Sequence, residues 1–143
     1  MAAKILLVLS PSKRARLLPA LDGENRGQEM EIEWALGFQD AVRKLSDGHN
    51  YDLLMVDAEL PDGSWRNLAL FLQNSGMTAE MIICARHEER ELWADVIQSG
   101  AYDLIAEPFE PAEVARIVES ALESRYMRRF TRPVPAKPGA VSG

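Results

Sequence analysis

The chain has 143 residues, of which 47% are hydrophobic and 27% charged, and a net charge of −6; this is the composition of one ordinary globular domain. No apolar run is long enough to cross a bilayer, and the apolar stretch in "MAAKILLVLSPSKR" is too short for a signal peptide. The single Cys84 excludes an internal disulfide and a multi-cysteine zinc site, so a cytoplasmic setting is expected.

Charge is spread unevenly. All 22 acidic residues precede Arg125, whereas Arg125, Arg128, Arg129, Arg132 and Lys137 follow with no acid among them. The acidic body argues against nucleic-acid binding. The basic, Pro- and Gly-rich segment 125–143 reads as a flexible tail or linker behind a domain spanning 1–124.

In chain order, "KILLVLS" (4–10) is a short apolar run, expected as a strand buried on both faces. "SKRARLLPALDG" follows as a helix with Leu17, Leu18 and Leu21 inward, and Pro19 is expected to kink or end it. A loop covers 23–28. "EIEWAL" (31–36) alternates, with Ile32, Trp34 and Leu36 on one face, which suits an edge strand. "FQDAVRKLSDG" places Phe38, Ala41, Val42 and Leu45 at helical spacing, with Gly48 as the stop.

"YDLLMVD" (51–57) is the third strand, and "GSWRNLALFLQNSG" the third helix, with Trp65, Leu68, Phe71 and Leu72 inward. "EMIICA" (80–85) is the fourth strand. "EERELWADVIQSG" is the fourth helix, with Leu92, Trp93, Val96 and Ile97 inward and Gly100 as the stop. "YDLIA" (102–106) is the fifth strand. The last helix is "EPAEVARIVESALESRY", with Pro111 in its first turn and Val114, Ile117, Val118, Ala121 and Leu122 as its apolar stripe. Core is the default place for Trp34, Trp65 and Trp93.

Five strands alternating with five helices imply an α/β fold, a doubly wound parallel sheet covered on both faces. Chemistry in such folds gathers at the carboxyl ends of the strands, near the topological switch point. The residues to read are therefore Leu9 and Ser10, Asp57, Cys84, and Glu107.

At these ends, "DLLMVDAELPDG" and "GAYDLIAEPFEPAEV" carry a resemblance to response-regulator receiver domains that extends over residues 4 to 124 by element order and spacing. It implies a flavodoxin-like strand order of 2-1-3-4-5, with Asp57 at the position of the family's phosphoryl acceptor and Pro108-Phe109 in the family's loop after strand five. The family's helpers are not matched. Leu9 and Ser10 stand where it has an acidic pair for Mg²⁺. Cys84 stands in place of Thr or Ser, Glu107 in place of a lysine, and Leu104 in place of a common aromatic switch residue.

Each difference has a chemical meaning. Phosphoryl transfer relies on positioning and on neutralised oxygens. Mg²⁺ needs oxygen ligands close together, but Leu9 offers none and Ser10 a neutral one. Glu107 repels a phosphoryl group, and a thiol donates more weakly than a hydroxyl. The resemblance therefore implies an atypical or pseudo-receiver of two-component signalling. Such a module is not an enzyme, needs no cofactor, and acts by binding proteins such as a histidine kinase or an output protein.

The resemblance makes the face of helix four, strand five and helix five, with Trp93 and Leu104, the surface for a partner or a homodimer. No nucleic acid or membrane is expected as a partner. The alternatives are a phosphorylatable receiver with unusual chemistry and a nucleotide-binding Rossmann-like enzyme. The latter lacks a glycine-rich turn after strand one.

Two readings of Asp57 stay open. In one, a basic residue of the same rim (Lys13, Arg14 or Arg86) pairs with it. In the other, it accepts backbone N–H bonds in the following turn. Asp57, Glu59 and Glu107 are the candidates for a divalent cation in a different geometry. Cys84 as a half-buried packing residue and His87 as a surface residue opening a helix complete the expectations.

Overall fold

The computed structural model describes residues 2–23 and 29–130. The strands are β1 (Ala3–Val8), β2 (Met30–Ala35), β3 (Leu53–Asp57), β4 (Glu80–Ala85) and β5 (Asp103–Ala106). The helices are α1 (Pro11–Gly23), α2 (Phe38–Ser46), α3 (Trp65–Asn74), α4 (Trp93–Gln98) and α5 (Pro111–Phe130), with a 3-10 segment, His87–Leu92, ahead of α4. The sheet is parallel throughout, in the order β2-β1-β3-β4-β5. The chain reverses its direction of travel across the sheet between β1 and β3, which makes their carboxyl ends the switch point.

Period-two alternation splits the core into two layers. Ile5, Leu7, Leu53, Met55, Ile82, Cys84 and Ile105 face α1 and α5, together with Leu17, Val114 and Ile117. Leu6, Val8, Leu54, Val56, Ile83 and Leu104 face the opposite layer, with Trp65, Leu68 and Val96. The same parity matters at the rim. Asp57 follows Met55 by two residues and therefore projects on the α1 side.

Several expectations need revision. β1 stops at Val8, and β2 spans 30–35. Trp34 is 49% and Leu36 77% exposed, so neither is core. Trp34 lies on the edge strand β2, with the Arg14 guanidinium 4.6 Å from its ring centre. Helix α1 runs through Pro19. The carbonyl that Pro19 leaves unbonded, that of Ala15, lies on an exposed stretch where water can serve it.

The fourth helix is shorter than its periodicity suggests. "HEEREL" forms the 3-10 segment with no buried residue, and Val96 is the buried residue of α4, with Trp93 54% exposed. Helix α5 carries on past 124, so the boundary drawn at 124/125 falls inside it; residues 131–143 of the tail lie outside the described residues. Among the described residues, no helix is long and apolar enough to cross a membrane.

Candidate functional site

The site begins with Ser10. Its hydroxyl accepts the backbone N–H of Lys13 at 3.2 Å, and its carbonyl accepts that of Arg14 at 2.9 Å. Ser10 therefore caps α1, with Pro11 in the first helical position. The cap places Lys13 in the first turn, directly over the carboxyl ends of β3 and β4.

From there Lys13 Nζ donates to Asp57 Oδ1 at 2.7 Å and to the Cys84 carbonyl oxygen at 3.2 Å. Both partners of the ion pair are buried, with side-chain exposures of 7% and 6%. Asp57 also accepts two backbone N–H groups, from Glu59 to Oδ1 at 3.1 Å and from Ser10 to Oδ2 at 3.3 Å. The cation and the turn thus act on the carboxylate together. A buried charge is stable only when paired and hydrogen-bonded, and here it is both.

The other charged residues of the rim are tied elsewhere. Arg14 stacks on Trp34. Arg86 pairs with Glu59, Glu88 and Glu89 at 3.4, 3.7 and 3.3 Å. Neither is placed against Asp57. Glu107 pairs with the Arg16 Nε. The three carboxylates considered for a metal (Asp57, Glu59, Glu107) are therefore each bonded to a different basic residue. Among the described residues, no group of three His, Cys, Asp or Glu side chains is arranged to hold a metal.

The Mg²⁺ that the family resemblance implies does not fit these residues. Oδ1 of Asp57 is bonded to an ammonium, Leu9 is an apolar core residue, and Ser10 spends its hydroxyl on the helix cap. Cys84 is fully buried rather than half-buried, and burial pushes its thiol up to about 12. It is a packing residue by chemistry as well as position. His87 is exposed and opens the 3-10 segment.

Two contacts were not anticipated from the sequence. Arg16 as the partner of Glu107 is one. The other is Asp62, which accepts the N–H groups of Phe38 and Gln39 at 2.7 and 3.0 Å. These bonds hold the Asp62 carboxyl below the ordinary range. They tie the loop after β3 to the first turn of α2. Gly37 makes the approach possible, because a Cβ there would lie 2.4 Å from Asp62 Oδ1. The acid in the "PDG" turn was a readable signal, but its partner 23 residues upstream was not.

No family model matches the chain. Among curated proteins, it is 32% identical over 97 residues to the swarming motility regulation protein RssB of Serratia marcescens, covering 68% of this chain and 43% of that protein. It is 31% identical over 121 residues to the phosphate regulon transcriptional regulatory protein PhoB of Klebsiella pneumoniae, covering 82% and 51%. It is 27% identical over 122 residues to the chemotaxis protein CheY of Bacillus subtilis, covering 85% and 99%. The chain thus spans about half or less of the two longer relatives and nearly all of the short one.

In solved structures the fold matches the receiver domain of Francisella response regulator 1452, with a TM-score of 0.69 and 21% identity over 85% of this chain and 98% of that one. It also matches NtrX from Brucella abortus, with a TM-score of 0.77 and 24% identity over 91% and 29%. A five-stranded 2-1-3-4-5 sheet, an aspartate at the carboxyl end of β3 and these relatives agree: the chain belongs to the response-regulator receiver domains of two-component signalling.

Proposed function

We propose that this receiver works mainly by binding protein partners, with Asp57 kept at the acceptor position but not used for Mg²⁺-dependent phosphoryl transfer. The buried Lys13–Asp57 bond carries this reading. Transfer to a carboxylate needs a free oxygen and cations that can follow the incoming charge. Here Oδ1 is bonded twice and Oδ2 accepts the Ser10 N–H, the nearby cation Lys13 is already committed to Oδ1, Arg16 and Arg86 are each matched to acids, and Glu107 adds negative charge to the same rim.

A surface for the partner is supported by the face of α4, β5 and α5. A cleft of about 370 Å³ there is lined by residues including His87, Arg90, Trp93, Leu104, Pro108 and Glu113. Trp93 is half-exposed and fixed by a 3.1 Å bond from its Nε1 to Asp103, while Leu104 lies beneath as part of the core. A held, exposed tryptophan over an apolar floor is the kind of anchor that dominates protein interfaces. The partner is a histidine kinase, an output protein or a second copy, met in the cytoplasm. The acidic body speaks against nucleic acid at this domain.

The test is amide NMR with Mg²⁺ and either a small-molecule phosphodonor or beryllofluoride, against an Asp57→Ala control. No specific shift is expected at Asp57, Cys84 or Glu107. Shifts there that vanish in the control would overturn the reading and make Asp57 a working acceptor with rebuilt helpers.

A further inference from the structure

We propose that the Lys13 ammonium is the resident cation of the acceptor site, and that its bond to Asp57 and divalent-metal binding at that carboxylate exclude one another. The inference rests on the reading of Asp57 as the acceptor position and concerns how that position is controlled.

Four observations carry it. First, the ammonium takes hard oxygen ligands, the Asp57 carboxylate at 2.7 Å and the Cys84 carbonyl at 3.2 Å, which are the ligand types a magnesium ion seeks. Second, the Cys84 carbonyl also accepts the Ala58 N–H at 3.1 Å, so both of its lone pairs are engaged. Third, magnesium keeps several waters when it binds protein. With side-chain exposures of 7% and 6%, Lys13 and Asp57 turn little of the carboxylate toward the water such a shell needs while the lysine stays in place. Fourth, the lysine is aimed by its own helix start. The Ser10 hydroxyl caps the Lys13 N–H while the Ser10 backbone N–H holds Oδ2 of Asp57. Ser10 thus serves the cap and the carboxylate at once, at a position where the family resemblance leads one to expect a metal ligand.

The arrangement also crosses three elements. A residue of α1 bonds the end of β3 and the main chain of β4 through one nitrogen. The cation therefore ties the rim together, and a metal could enter only if the Lys13 side chain let go of the carboxylate.

The experiment uses Mn²⁺ as a paramagnetic stand-in for Mg²⁺, added to the full chain and followed by amide signal loss. In the wild type, the signals of Ser10, Asp57, Ala58 and Glu59 are expected to hold their intensity. In Lys13→Met they are expected to be lost at Mn²⁺ concentrations at least tenfold lower. Equal loss in both proteins overturns the proposal, because metal and lysine would then coexist. A folded Lys13→Met chain that stays unbroadened also overturns it, because the lysine would not be what keeps the metal out.

If Lys13→Met does not fold, the wild type labelled with ¹⁵N at lysine side chains decides the matter. The Lys13 ammonium should give a slowly exchanging signal that Asp57→Asn abolishes and millimolar Mg²⁺ leaves unchanged. A signal displaced by Mg²⁺, or indifferent to Asp57→Asn, overturns the proposal. Neither experiment contains a phosphodonor or a partner protein, so each outcome stands apart from the test of phosphoryl acceptance.

Discussion

Two aspartates bracket β3, Asp52 just before it and Asp57 at its carboxyl end; each faces a long basic side chain, and the two pairs are built to different tolerances. At the carboxyl end, Lys13 meets Asp57 at 2.7 Å, and the carboxylate takes two further backbone donors. Just before the amino end, Arg125 of α5 reaches Asp52 only at 3.7 Å, and its buried Nε and Nη1 have no hydrogen-bond partner among the described residues. The Asp52 carboxylate instead accepts the backbone N–H of Lys4 at 2.9 Å, through Oδ2, and so joins the starts of β1 and β3. Opposite charge alone does not make a site. The difference lies in how many donors converge on one carboxylate and how little water reaches it.

The largest expected effect tests the tight end. Lys13→Met leaves a buried carboxylate unpaired and should cost about 3–5 kcal/mol in urea unfolding. Adding Asp57→Leu should recover most of that loss, since both charges then go together. A loss under about 1 kcal/mol would put the two ends on a par. The next effect concerns Cys84, in the same shell. With its thiol buried and pushed up to about 12, it should resist alkylation at pH 8 in the folded chain and react at the rate of unfolding as urea is raised. Rapid labelling without denaturant would mean that the rim opens on its own.

A third test asks whether the rest of this rim is as tightly made. Asp40 and Asp62 titrate below their ordinary value of 3.8, through the Leu36 N–H and through the Gln39 and Phe38 N–H groups. A lowered folded-state value means stability that is complete above the unfolded-state value and lost as pH falls through the folded one. The first amides of α2 should therefore lose hydrogen-exchange protection below about pH 4, and Asp62→Asn should weaken that acid step. The smallest effect belongs to the loose end. Arg125→Met should change stability by no more than about 1 kcal/mol in either direction, and a loss above about 2 kcal/mol would dissolve the contrast.

The sheet was legible because its strands are short apolar runs bounded by turn residues, and "EMIICA" became β4 residue for residue. The places that misled are those where one side chain served two masters. The alternation of Ile32, Trp34 and Leu36 reads as a buried face, yet on this edge strand only Ile32 packs against the core, and Trp34 and Leu36 are exposed. The periodicity of Trp93 and Ile97 reads as core, yet the short helix they belong to buries Val96 alone.

At the site, the place of Asp57 at the carboxyl end of β3 and a set of basic candidates that includes its partner were readable, because strand ends on one rim are close in any sheet of this order. The choice of Lys13 over Arg14 and Arg86 was not announced by the residue types. In hindsight it was written in "SPSK", since a serine cap followed by proline sets the phase of the helix and hence which side chain points over the rim. The pairing of Arg16 with Glu107 depends on side-chain reach between elements 91 residues apart, and no local pattern encodes that.

The Ser10 cap has one more consequence. A dissolved ion meets a carboxylate at its bulk concentration, and chelators or competing anions can take it away. The Lys13 charge comes on a side chain rooted in the first turn of α1, so its effective concentration is set by tether length and stiffness rather than by the cell. A counter-ion of that kind cannot be diluted, chelated or exchanged. It is put in place when the protein folds and does not depend on the ions in solution.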